Sequence, residues 1–274
     1  KFTRGSSSTI AGVIMTWSAI VLAAGKGTRM QSLMPKVLHP LMGKPLLCHV
    51  WDNLIPLKPS SIMTVVSPEL ETSLSGLMPS RENIDFLTVQ QAPPQGTGHA
   101  VKIALDVMSM NDEDVVFITA GDVPGCHPSF FQKGLNLFQT NAHLSALVFA
   151  MEAPLPNDYG RLIFKDSKLT AIIETKDASL EEKNITLCNS GILGFKVGPL
   201  KKALGTLKPS MTTQEYYITD AVQSIHENGG CVDFLTVPIK DVQGVNCQKE
   251  LALLEKIYQE RAREKFLAKG DKVK

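Results

Sequence analysis

From Trp17 to Met151 short apolar runs alternate with segments of helical spacing, and this alternation restricts the fold more than any other feature. Trp17–Ala23, Ser61–Val66, Ile84–Val89, Asp114–Thr119 and Ala146–Met151 have the length and β-branched content of buried strands. Between them lie Pro45–Leu54, with proline at the first turn, Gly98–Met110, with Val101, Ala104, Leu105 and Met108 on one face, and His127–Gln139. Strand and helix in turn make a doubly wound α/β sheet. The second half reads differently. Arg161–Phe164, Leu169–Glu174 and Leu187–Phe195 are strands joined by polar turns. Helices at Pro199–Gly205 and Tyr217–Glu227, a strand at Val232–Val237 and a long charged helix over Gln248–Ala268 follow.

The first strand empties into Leu22-Ala23-Ala24-Gly25-Lys26-Gly27-Thr28-Arg29-Met30, with Pro35-Lys36 close behind. A small-residue turn at a strand end exposes backbone N–H groups, and its glycines allow close approach by a phosphate. Lys26, Arg29 and Lys36 add cations within the same loop. Neither a Walker A spacing nor a GxGxxG pattern is present. A basic loop on its own is equally a solvated surface feature.

Charge and cysteine content narrow the partners. Lys plus Arg number 28 and Asp plus Glu 27, a balance that gives no reason to expect a nucleic acid or an anionic membrane. The five cysteines are unpaired in spacing, which suits reduced thiols in a cytoplasmic protein better than a disulfide or zinc framework. The apolar stretch Ala11–Gly25 is too short to span a membrane. Read as a signal peptide, it would be cleaved inside the glycine-rich loop. Residues 1–16 are therefore expected to be a tail or a cloning remnant, with a natural start at Met15.

The loop residues LAAGKGTRM followed by PKVLHPLMGKPLL resemble the signature of the sugar-phosphate nucleotidyltransferases. Within that family the chain is most similar to the uridylyltransferase (pyrophosphorylase) domain of bacterial N-acetylglucosamine-1-phosphate uridylyltransferases. Further matching motifs follow in the family's order. They are Gln91 with Gly96-Thr97-Gly98-His99-Ala100, Gly121-Asp122-Val123-Pro124, Tyr159-Gly160-Arg161 and Glu174-Thr175-Lys176-Asp177-Ala178. Asn189-Ser190-Gly191-Ile192, Glu215-Tyr216-Tyr217-Ile218-Thr219-Asp220 and Gly244-Val245-Asn246 complete them. The resemblance implies a Rossmann-like doubly wound mixed sheet of the nucleotide-diphospho-sugar transferase type, with a smaller β-rich sugar-binding lobe. It divides the chain into a nucleotidyltransferase domain over 17–246, with a nucleotide half (17–150) and a sugar half (151–246), and a C-terminal helix over 247–274.

The site residues follow from the same resemblance. Leu22, Ala23, Ala24, Gly25, Lys36, Gln91, Gly96 and Thr97 would bind the nucleotide, with Gln91 reading the base. Arg29, Lys36 and Asp122 would be catalytic, and Asp122 with Asn246 would hold Mg²⁺. Gly160, Glu174, Asn189, Tyr217 and Thr219 would contact the sugar phosphate. The residue types suit these roles. Asp122 follows a buried strand, where open sheets bind ligands, and a hard oxygen suits Mg²⁺. A glutamine amide offers an acceptor and two donors to a uracil edge. The residues also have blander uses, Asp122 in a turn and Asn246 as a helix cap. His39 and His99 have no partner at metal spacing and read as structural. Two departures stand out: Pro94, where the family often has a second glutamine, and Ala120, where an aromatic is common.

The implied partners are UTP and N-acetylglucosamine-1-phosphate, and a homo-oligomer is compatible with all of this. Transfer to another sugar phosphate, a polyol phosphate or a molybdopterin, and a nucleotide-sugar sensor without catalysis, are the rival functions. The sugar-side motifs argue against the polyol and the molybdopterin. Retention of Lys36, Asp122 and Asn246 argues against the sensor.

Overall fold

The computed structural model describes residues 15–25, 27–74 and 76–268; Lys26, most of the amino-terminal tail and the last six residues of the helical segment expected over 247–274 lie outside them. Eleven strands are present among the described residues: β1 (Trp17–Leu22), β2 (Pro40–Leu41), β3 (Lys44–Pro45), β4 (Ser61–Val66), β5 (Asp85–Gln90), β6 (Val115–Ala120), β7 (Leu144–Glu152), β8 (Arg161–Lys165), β9 (Lys168–Ile173), β10 (Leu187–Lys196) and β11 (Cys231–Thr236). The α-helices are α1 (Leu46–Leu54), α2 (Pro68–Ser73), α3 (Thr97–Val107), α4 (Pro128–Thr140), α5 (Val197–Leu204), α6 (Asp220–Glu227), α7 (Ile239–Val242) and α8 (Gln248–Ala268).

One mixed sheet carries the molecule, in the order β11-β7-β10-β6-β1-β4-β5. β1 pairs in parallel with both β4 and β6, and β4 with β5. β10 runs antiparallel between β6 and β7, so a strand from the second half of the chain completes the sheet begun by the first. β8 and β9 form an antiparallel hairpin attached to β10, the β-rich extension expected from the polar turns between them.

The period-two pattern of the strands sorts side chains onto two faces. Trp17, Ala19 and Val21 of β1 face α1 and α4, together with Phe117 of β6 and Phe149 of β7. Phe117 is the hub of that face, with ring centroids 5.8 Å from Trp17, 5.6 Å from Phe131 and 5.8 Å from Phe149. Ile20, Val65, Val116, Ile118 and Val148 point the other way, against α3, α5 and α6. Both faces are thus covered by helices, which is why the strands are apolar on both sides.

A third, smaller cluster matters more for the site. Met30 of the glycine-rich loop packs with Leu41, Leu46, Val245 and Leu254, and Leu251, Ile257 and Tyr258 of α8 close over it. Hydrogen bonds reinforce the contact: Tyr258 Oη donates to the Pro124 carbonyl (2.7 Å), and Glu255 accepts from the Met42 N–H (2.9 Å). The terminal helix thereby lies against the loops that follow β1 and β6.

Several expected boundaries move, and two helix starts are instructive. Helix α1 begins at Leu46, with Pro45 in the short β3 pairing rather than in the first turn. Helix α6 begins at Asp220, not Tyr217. The reason is tertiary: Tyr216 N–H donates to Gln95 O (2.9 Å), Gly98 N–H to Tyr216 O (2.7 Å) and Ile218 N–H to Thr97 Oγ1 (3.0 Å). The Tyr216 carbonyl is thus taken by α3, and the Tyr217, Ile218 and Thr219 carbonyls accept from the N–H groups three residues on, of Asp220, Ala221 and Val222, so this stretch is a tighter turn than an α-helix.

Candidate active site

The carboxyl ends of β1, β4 and β6 lie at one edge of the sheet. The chain goes from β1 to β4 and β5 on one side, then returns to β6 on the other, so the order reverses at β1. Open α/β sheets bind ligands at such a switch point. A cleft of about 340 Å³ opens there. Its floor is Leu22, Ala23, Ala24 and Gly25, and its walls include Val65, Ala120 and Asp122. The floor is tied to the sheet by bonds from Ala23 N–H to Val65 O (2.8 Å) and from Gly121 N–H to Leu22 O (2.9 Å).

Four charged or amide side chains meet at one side of this cleft. Lys36 Nζ forms an ion pair with the Asp122 carboxylate and donates to Asn246 Oδ1 at 3.2 Å. Arg29 donates to the same Asn246 oxygen, also at 3.2 Å. These groups come from chain positions as much as 217 residues apart. Each is delivered by a specific device. Gly27, at φ +59°, lies so close to Lys36 that a Cβ there would come within 2.5 Å of the lysine Cβ. Asn246 is brought in by the Val245 N–H, which donates to Asp122 O at 3.0 Å. Glu250 of α8 then accepts from the Asn246 N–H at 2.6 Å. The Asn246 side-chain oxygen faces the cations and does not cap α8.

On the opposite wall Gln91, Gly96 and Thr97 follow β5 and begin α3. Gly96 has φ +100°, and an added Cβ would come within 2.5 Å of Tyr216 O, so only glycine fits. Gln91 is 5% exposed; its Nε2 donates to Gly96 O (2.9 Å) and lies 3.1 Å from His99 Nδ1. Pro94 and Ala120, the two departures from the family pattern, both line the cleft.

Glu174, Thr219, Gly160 and Asn189 form a second group. Thr219 donates to Glu174 Oε1 (3.0 Å), the Asn189 N–H donates to Gly160 O (2.8 Å), and an added Cβ on Gly160 would lie 3.4 Å from the Glu174 carboxyl. Tyr217 lines the nucleotide-side cleft, and its hydroxyl bonds Thr213 Oγ1 at 2.6 Å. Burial raises the Glu174 carboxyl above its ordinary value, with the Thr219 bond opposing. Asp220, at the start of α6, is pushed up to about 6 by burial and by the neighbouring Glu174 and Asp177. Buried Arg161 stitches this region together, donating to Tyr159 O, Thr175 Oγ1 (3.0 Å) and Asn157 O (3.0 Å).

The structure therefore gathers Leu22, Ala23, Ala24, Gly25, Lys36, Gln91, Gly96, Thr97, Asp122 and Tyr217 around one cleft, with Arg29 and Asn246 bonded to its charged side. Gly160, Glu174, Asn189 and Thr219 cluster apart from the lining of that cavity. Sequence reasoning missed Glu215, which also lines the cleft, and His99, which holds Gln91. The only signal for either was its place within a matching motif. Among the described residues no helix is long and apolar enough to cross a membrane.

Comparison with known proteins bears on the fold and the family. A family model for the MobA-like NTP transferase domain matches residues 19–178. The chain is 36% identical over 256 residues to the bifunctional protein GlmU of Buchnera aphidicola subsp. Acyrthosiphon pisum (strain Tuc7), covering 93% of this chain and 54% of that protein. It is 36% identical over 251 residues to GlmU of Nitrobacter hamburgensis, covering 92% and 54%. The chain thus spans about half the length of these relatives. A crystal structure of UDP-glucose pyrophosphorylase complexed with UDP-glucose superposes with a TM-score of 0.72 at 17% identity, covering 90% of this chain and 100% of that one. The fold is that of the nucleotide-diphospho-sugar transferases, and the chain belongs to the MobA-like NTP transferase family.

Proposed function

We propose that this protein transfers a uridylyl group from UTP to N-acetylglucosamine-1-phosphate, forming UDP-N-acetylglucosamine and pyrophosphate with Mg²⁺. The observation that carries the reading is the meeting of Lys36, Asp122 and Asn246 at the cleft mouth, facing the Gln91–Gly96–Thr97 wall. The sequence likeness to the GlmU proteins supports the uridylyl and N-acetylglucosamine assignments, as does the acid-and-hydroxyl group around Glu174.

The donor set fits the metal. Asp122 and Asn246 supply two hard oxygens that converge on one positive charge, the Lys36 ammonium. Mg²⁺ typically takes one or two protein oxygens and fills its remaining positions with phosphate and water. When bound it would neutralise phosphate charge and hold the triphosphate in line for displacement.

In the proposed reaction an oxygen of the sugar-1-phosphate attacks the α-phosphorus, a new P–O bond forms, and the bond to the β-phosphate breaks to release pyrophosphate. The attacking phosphate has a second pKa of about 6, so it is mostly ionised near neutrality and no general base is required. What the chain must supply is then positioning and charge compensation. The small residues of the loop let its backbone approach the phosphates. Lys36 and Arg29, released from Asp122 and Asn246, offset the charge that develops on the leaving pyrophosphate. Glu174 and Thr219 accept from and donate to sugar hydroxyls, and Asn189 bonds a hydroxyl or the acetamido group.

A pyrophosphate-release screen tests this directly. Each of UTP, CTP, ATP, GTP and dTTP is offered with N-acetylglucosamine-1-phosphate, glucose-1-phosphate and no acceptor. Release is expected to be greatest with UTP plus N-acetylglucosamine-1-phosphate. A best pair containing another nucleotide would overturn the uridylyl donor, and one containing glucose-1-phosphate would replace the acceptor.

A further inference from the structure

We propose that His99 is a positioning residue for base selection, holding the Gln91 amide so that its carbonyl oxygen alone meets the base. The inference rests on the uridylyl reading above, and it starts from which atom of the amide faces which partner. Gly96 O can only accept, so the Gln91 atom 2.9 Å away is the amide nitrogen, Nε2. That same nitrogen lies 3.1 Å from His99 Nδ1. An amide nitrogen can only donate, so Nδ1 must accept, and the imidazole carries its proton on its own Nε2. Both hydrogens of the Gln91 amide are then engaged by the protein.

What remains is Gln91 Oε1. It has no hydrogen-bond partner among the described residues, and it is not one of the fully buried unpaired atoms, which among those residues are His39 Nε2 and Arg161 Nε. Gln91 lines the cleft, so this oxygen is the polar atom the side chain offers a ligand. A fixed acceptor pairs with an N–H. Uracil presents one at N3, whereas the same atom of cytosine is a lone pair that would face another. The Gln91 amide thus does not have one acceptor and two donors free for the base, as its chemistry alone allows; it is restricted to one acceptor by its neighbours.

The surroundings of His99 favour the neutral ring this requires. Burial lowers its pKa first, and the Lys102 charge, one helical turn along α3, lowers it further. Tyr216 lines the same cavity as His99 and Lys102. A protonated ring would turn Nδ1 into a donor facing a donor. His99 thereby acts on the base only through Gln91.

The test compares kcat/KM for UTP and CTP in the wild type, His99→Leu and His99→Asn, with N-acetylglucosamine-1-phosphate as acceptor. Leucine cannot accept, so the amide keeps Gly96 O as its remaining anchor and is held less firmly, and the UTP/CTP ratio is expected to fall about tenfold, the scale of one lost hydrogen bond. The Asn Oδ1 takes the place of Nδ1 and should restore most of the ratio. An unchanged ratio in His99→Leu overturns the proposal, as does an equal loss in His99→Asn. A wild type that does not prefer UTP to CTP overturns the uridylyl reading instead. If His99→Leu does not fold, ¹⁵N spectra of the histidine-labelled wild type decide. An unprotonated Nδ1 is expected, and a proton on Nδ1 overturns the assignment.

Discussion

The two ends of the site are built on opposite electrostatics. At the mouth of β1 and β6, cations are held directly on oxygens: Lys36 on Asp122 and Asn246, and Arg29 on Asn246. Around α6, Glu174, Asp177 and Asp220 crowd together, and among the described residues none of them forms an ion pair. Instead they use hydroxyls, Thr219 on Glu174 and Ser210 on Asp177 (2.9 Å). In the proposed reaction the first arrangement holds cations for a triphosphate to take over. The second keeps Glu174, its proton affinity raised by burial, beside the Thr219 hydroxyl, which suits exchange of hydroxyl partners. One end is poised for charge and the other for hydrogen bonds.

Asp122→Ala is expected to break the charged end most severely. Turnover should fall by at least about 100-fold, because the proposed metal loses its anionic ligand and Lys36 its partner. Steady-state kinetics across a magnesium titration checks this, and wild-type-like activity would remove Asp122 from the reaction. Lys36→Ala should cost more turnover than Lys26→Ala, whose position in the loop is the weaker candidate for phosphate contact. Equal and small losses from both would mean that the basic loop is solvated surface.

At the other end the expected effects are smaller and fall on different constants. Glu174→Gln keeps the size but loses acceptor strength, so KM for the sugar phosphate should rise about tenfold, near the value of one hydrogen bond to a charged group, with KM for UTP unchanged. A rise in KM for UTP instead would erase the distinction between the two ends.

The smallest effect is on stability. Asp220 has an ordinary value of 3.8 and is pushed up to about 6 in the folded protein. The folded state therefore binds more protons between these values, and stability falls as pH rises from about 4 to 6. Asp220→Asn should remove that loss and stabilise the protein near neutrality by about 1 kcal/mol, after allowing for partial exposure and the favourable helix-terminus position of the carboxylate. Chemical denaturation of both proteins across this pH range measures it. A wild-type stability that rises with pH through the same window would reverse the assigned sign.

Much of the fold is legible in the sequence because its signals are local. The strands announce themselves by period and composition, and β1 by its exit into alanines and glycines. Short helices such as α2 and α7 do not, since four to six residues carry too little periodicity to register. The start of α6 departs from its helical pattern because the Tyr216 carbonyl is spent on the Gly98 N–H of α3, a partner chosen by the tertiary fold. The charged side of the site is visible as residue types, yet the meeting of Arg29 with Asn246 leaves no trace in spacing. Family resemblance, not periodicity, joins them. His99 reads as structural because its partner, Gln91, is reached only after the chain turns back at Gly96. The long helix α8 looks merely charged. Leu251, Leu254, Ile257 and Tyr258 nevertheless cover Met30 and so help to fix the glycine-rich loop.

The central claim is attack on the α-phosphorus, and its most direct measurement is the fate of label. With UTP carrying ³²P at the α-position, Mg²⁺ and N-acetylglucosamine-1-phosphate, label should appear in UDP-N-acetylglucosamine in one-to-one step with unlabelled pyrophosphate. Label recovered as UMP or UDP, or UTP bound without any labelled nucleotide sugar formed, would contradict the account.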